Sequence, residues 1–178
     1  MNFRVIALAS CVALGSIALG DKAHAQSVDV PFGGTLTNVC VFGTPTAGVV
    51  TRTGVSNAVE GSAGVTGFNV GTAGRVTLNC NAGGTVAVVA PALVSAPAAF
   101  APTIRQAVVQ VNTSAVYTSR STGANFDTGI WNKPTAAAIV PAGLQTLNVA
   151  MIAGTPGSTA LPPAGIYNYT VRLTATSN

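Results

Sequence analysis

Apolar residues recur at every second position in one short stretch after another, the spacing of strands with a single buried face. The clearest run is the last, "IYNYTVRLTATS" (166–177). There Tyr167, Tyr169, Val171, Leu173 and Ala175 fall on one face and Asn168, Thr170, Arg172, Thr174 and Thr176 on the other. It reads as an antiparallel strand with one buried side and one wet side. The same alternation predicts strands at 38–42, 75–80, 85–90, 107–112, 115–119 and 144–152. In "RVTLNC" (75–80) Val76, Leu78 and Cys80 share a face, and "TVAVVA" (85–90) follows after an "NAGG" turn. These two read as a hairpin or a bulged continuous strand. Connections such as "GTPTAG", "GTPGST" and "LPPAG" punctuate the runs, and the proline-rich 91–103 reads as a loop or an edge segment. Helical periodicity is missing throughout. Seven or more short strands in one domain of this length predict an all-β chain with immunoglobulin-like sandwich architecture.

The first residues break the pattern. "MNFR" is a short basic start, "VIALASCVALGSIALG" is apolar throughout, and "AHA" precedes Gln26 as a small-x-small cleavage site. This is the anatomy of a secretory signal over residues 1–25, cut between Ala25 and Gln26. "LASC" (8–11) offers a second reading, a lipid-attachment box at Cys11. After the signal comes "QSVDVPFGGTLTNVC" (26–40), where Val28, Val30, Phe32 and Leu36 share an extended face that Gly34 interrupts. Asp29, Pro31, Gly33 and Thr35 face the other way. Pro31 has no N–H, so it suits an edge or a bulge. The chain therefore divides into a signal (1–25), an extension (26–37) and a sandwich (38–178). The apolar face of the extension must be buried, either in its own sheet or in a neighbour.

Losing the signal removes the sole histidine, His24, and leaves Arg52, Arg75, Arg105, Arg120, Arg172 and Lys133 against Asp29, Glu60 and Asp127. Charge this sparse makes no basic patch, so neither nucleic acid nor an anionic membrane is implied as a partner. Beyond the signal no run of 18 apolar residues exists to span a membrane as a helix. Aromatic girdles for an outer-membrane barrel are hard to build from 6% aromatic residues. Without histidine, Ser-His-Asp and Cys-His catalysis are excluded. The three carboxylates are far apart in sequence, and the lone Asp-Thr-Gly at 127–129 lacks the second aspartate an aspartic protease needs. Metal and cofactor sites are not indicated: Cys40 and Cys80 are the only remaining cysteines, no histidine remains, and zinc would need further ligands. In an exported chain such a pair reads as one disulfide, whose 40-residue loop stabilises the fold by roughly 4 kcal/mol in the chain-entropy model. Trp131, the only tryptophan, has two readings: a core anchor, or an exposed ring that stacks on sugar. With Tyr117, the second would make a secreted carbohydrate-binding module.

"GTLTNVC" followed by "GFNVGTAGRVTLNC" resembles the paired-cysteine region of chaperone–usher pilins, with Gly67, Phe68, Val70, Leu78 and Cys80 in the motif positions. "VTLNCNAGGTVAV", Trp131 and the closing "PPAGIYNYTVRLTAT" are also similar to the spore coat protein U-like branch, with Gly165 and Tyr167 matching its terminal motif. The resemblance implies a pilin-type sandwich that lacks its final strand. It also implies a non-catalytic subunit of a fibre or coat at the cell surface, passing through the periplasm with a chaperone and usher. In that family the extension of one subunit fills the groove of the next. Val28, Val30, Phe32, Gly34 and Leu36 would be the inserted face, and the partners would be copies of the chain or related subunits.

Overall fold

The computed structural model describes residues 28–54, 57–126 and 130–178. The signal segment with Cys11, Ala25 and Gln26 lies outside the described residues, as does Asp127. The chain divides into two units, 1–35 and 36–178. In the first, the described residues form neither strand nor helix, and Val28 (85%) and Phe32 (94%) are exposed.

The second unit is all-β. Its strands in chain order are β1 (Cys40–Phe42), β2 (Thr51–Arg52), β3 (Asn57–Gly61), β4 (Gly74–Cys80), β5 (Gly84–Val88) and β6 (Ala92–Ser95). They continue with β7 (Ile104–Val111), β8 (Tyr117–Ser121), β9 (Ala138–Val140), β10 (Gly143–Thr155), β11 (Asn168–Thr170) and β12 (Leu173–Ser177). The long β10 organises the larger sheet. One edge of it pairs first with β4 and then with β3, and the other edge pairs with β7, which carries β8. β1 and β2 sit outside β4 and β3. The second layer consists of β9–β5–β12 and β6–β11, all antiparallel.

Alternation explains the layering. Val76, Leu78 and Leu147 of the larger sheet meet Val86, Val88 and Val140 of the smaller one in a shared core. β7 is buried on both faces. Ala107, Val109 and Val111 enter that core, while Val108 joins a second cluster with Phe68, Phe126, Trp131 and Ile152 on the opposite side. Two long connections supply this second cluster, and two buried glutamines of β7 hold them. The Gln106 amide donates to the Trp131 carbonyl (2.8 Å) and accepts from Phe126 N–H (2.6 Å). Gln110 donates to Thr66 Oγ1 (2.8 Å) and Ser114 O (2.9 Å), and accepts from Thr66 N–H (3.0 Å). Burying these amides is tolerable because their hydrogen bonds are made.

One expectation changes. Segments 75–80 and 85–90 form neither a hairpin nor one bulged strand, because β4 and β5 lie in different sheets and the turn at 81–83 carries the chain across. Of the two readings of 91–103 the edge segment holds, since it contributes β6, paired with β11. The predicted strands at 107–112, 144–152 and 166–177 appear as β7, β10 and β11–β12.

Candidate functional site: an open groove between two sheet edges

The two ends of the sandwich chain lie at facing edges. The first is the segment 40–52, a broken strand. Cys40–Phe42 pairs with β4, Thr46 exchanges hydrogen bonds with Arg75 (2.7 and 2.9 Å), Val49 does so with Thr72 (2.9 and 2.8 Å), and Thr51–Arg52 pairs with β3. Glycines permit this close approach. A Cβ on Gly48 would fall 2.7 Å from Gly74 N, and Gly71 has φ +57° with Val49 O at 2.3 Å from a built Cβ. The second edge is the final strand, residues 167–177. It pairs with β6 and β5 on one side and, among the described residues, with no strand on the other.

Between these edges runs an open groove of about 640 Å³. Its floor is Val76, Val149 and Met151; one wall carries Phe42, Val49 and Val50, and the other Tyr167, Tyr169, Val171 and Leu173. The four wall residues of the final strand are only half-buried, although their alternation marks them as core. They pack on one side and face empty space on the other. Tyr167 stands edge-on to Phe100 at 5.0 Å, and its hydroxyl donates to the Pro163 carbonyl. Among the described residues the Tyr169 hydroxyl is buried without a partner, and burial pushes its pKa up to about 12.

One end of the groove is tied shut. Cys40 and Cys80 form the disulfide expected of them. Beside it the Asn38 amide donates to the carbonyl of Asn178, and Ser177 Oγ donates to Asn38 O (3.2 Å). Asn81 donates to Thr37 O (3.0 Å) and accepts from Val39 N–H (2.9 Å). The root of the extension is thereby fixed to the last residues of the chain.

Residues 28–37 of the extension belong to none of the sheets. Val28, Val30 (63%), Phe32 and Leu36 (92%) are exposed, and residues 28–39 include no strand. Gly34 lies among them with open space where a Cβ would stand.

Of the two readings of Trp131 the core anchor holds and ligand stacking does not. Trp131 is 3% exposed and meets Phe68 edge-on at 4.8 Å, so its ring is a core anchor with no face for a sugar. Tyr117, its partner in the carbohydrate reading, is covered by Lys133, whose Nζ lies 4.5 Å from the ring centroid, and its hydroxyl accepts from Gln110. Among the described residues no three His, Cys, Asp or Glu side chains gather as metal ligands. No helix there is long and apolar enough to cross a membrane. Glu60 is buried on β3. Its carboxylate accepts from the Ser62 hydroxyl, and burial raises its pKa above the ordinary range.

The alternation of the sequence does not show the groove, which only the family resemblance implies. It does show the apolar face of 167–175, but nothing in the pattern says that its strand lies at an edge. No protein-family model, curated protein or solved structure matches the chain.

Proposed function

We propose that the protein is a non-catalytic structural subunit of a pilus-like or coat-like assembly at the cell surface, joined by strand donation. Its fold is then an immunoglobulin-like, pilin-type sandwich short of one strand. The extension of one copy, or of a related subunit, completes the groove of the next.

One observation carries this reading. A single chain holds both halves of the joint: an open apolar groove between two sheet edges, and an unpaired segment with apolar residues at alternate positions. Strand addition uses these parts, with main-chain hydrogen bonds for affinity and alternate side chains for fit. A free subunit with such an edge is prone to wrong pairing, which makes a periplasmic chaperone and an usher the expected partners in transit. Export through the signal at 1–25 and a disulfide at Cys40–Cys80 fit an oxidising compartment.

A gel tests it. Native surface material and a version lacking residues 26–36 are run in SDS with and without boiling. A ladder that survives SDS, collapses on boiling and vanishes on truncation is expected. Monomer bands in every lane, from material that is assembled before SDS, would overturn strand donation.

A further inference from the structure

We infer that the donated strand is set in one register, running antiparallel to the final strand with Asp29 of the donor opposite Arg172 of the acceptor. This rests on the strand-donation reading and adds what selects the partner segment and its alignment.

Charge complementarity comes first. Asp29 is the only charged residue in 28–39, and Arg172 the only one in 166–178. Both belong to the outward faces of their strands: Arg172 is exposed, and Asp29 alternates with the apolar residues. An opposite-charge pair directly across two antiparallel strands favours that alignment, and a shift of two residues removes it.

Direction follows from the tied end of the groove. The donor's root must leave through the open end, near Val50 and Tyr167, because a folded body follows it. Its free end then points toward Leu173 and the Asn38–Asn178 clasp. The final strand runs from Tyr167 to Leu173, so the donor runs antiparallel to it.

The remaining pairs then fall into place. Val28 faces Leu173, Val30 faces Val171, Phe32 faces Tyr169 and Gly34 faces Tyr167. All are inward positions, and Val28–Gly34 spans the same seven residues as the groove wall Tyr167–Leu173. Gly34 meets the bulky tyrosine already packed on Phe100. Nothing in the free chain demands glycine there, since a Cβ would meet open space. The requirement belongs to the joined state.

Backbone polarity agrees. Val89 N–H donates to Arg172 O (3.0 Å) and Asn178 N–H to Gly83 O (3.3 Å), so even-numbered residues of this strand turn toward β5. Val171 and Leu173 turn their N–H and C=O to the open edge. In this register they bond Val30 and Val28. Pro31 belongs to the alternate set, whose N–H would point away from the final strand, so its missing donor leaves that ladder intact.

The Asp29–Arg172 pair is then a non-hydrogen-bonded one, with Cα atoms about 4.5 Å apart, close enough for a disulfide. Full-length chains carrying Asp29→Cys are co-assembled with chains carrying Arg172→Cys, Thr170→Cys or Thr174→Cys and run on non-reducing gels. Cross-linking mainly between 29 and 172 is expected. In parallel, Arg172→Asp should slow ladder formation about three- to tenfold, and Asp29→Arg in the same chain should restore it to within about twofold. Dominant cross-links to 170 or 174 would overturn the register and leave strand donation standing, as would a boil-sensitive ladder with no cross-link at all. Absence of both ladder and cross-links would overturn both readings.

Discussion

Gln106 is fully buried on β7 and anchors the connection that carries Phe126 and Trp131 into the second core cluster. Replacing it with leucine keeps the approximate volume but removes three hydrogen bonds. The Phe126 N–H loses its side-chain partner, whereas the Trp131 carbonyl still accepts from Lys133 N–H (2.9 Å) and Asn125 keeps its bond to Asn132 (3.0 Å). The one stranded buried N–H costs about 1–3 kcal/mol, and the added apolar contact offsets part of this, so the net loss is about 1–2 kcal/mol. With a urea slope of about 2 kcal/mol per M, the midpoint should fall by about 0.5–1 M. Trp131 is the only tryptophan, so its fluorescence reports on this site directly. Native emission should be that of a buried indole, and Gln106→Leu should shift it to the red before global unfolding. A midpoint within about 0.3 M of the parent and unchanged emission would refute the claim that Gln106 holds this connection in place.

Replacing Cys40 and Cys80 together with alanine should cost about 4 kcal/mol from the freed 40-residue loop, read as a lower denaturation midpoint than that of the oxidised parent. Burial raises the Glu60 pKa, so its contribution to stability is greatest below the ordinary carboxyl range and falls as pH rises through the folded value. Glu60→Gln should flatten that part of the stability–pH curve, as measured by thermal unfolding across the acid range. Tyr169→Phe removes a buried hydroxyl that has no partner and should stabilise the free subunit by about 1 kcal/mol, seen as a higher melting temperature.

The residues that formed strands as expected are those with uninterrupted alternation. Tyr167 to Ala175, Val76 to Cys80 and the runs in β7 and β10 each display a buried face that period-two spacing makes legible. The cysteine pair was legible for a different reason, since the extension and sandwich hold no other. What local pattern cannot show is which strand lies beside which. The separation of β4 from β5 into different sheets depends on the short turn at 81–83, and its sequence suits a hairpin equally well. β3 escaped notice because Asn57–Gly61 contains a glutamate and a glycine, and its burial comes from the connections laid over it. Trp131 was ambiguous for the same reason: an indole is as suited to a core as to a sugar, and Phe68 and Gln106, distant in sequence, decide between them. The groove is the extreme case. It is made by a vacancy between the first and last segments, and each of those segments reads as an ordinary strand.

Amide hydrogen exchange on assembled material and on dispersed monomer tests strand donation most directly. The account predicts that residues 28–34 and the open-edge amides of Val171 and Leu173 exchange rapidly in the monomer and become protected together on assembly, because each strand supplies the other's missing ladder. Assembled material in which 28–34 still exchange as fast as in the monomer would contradict it.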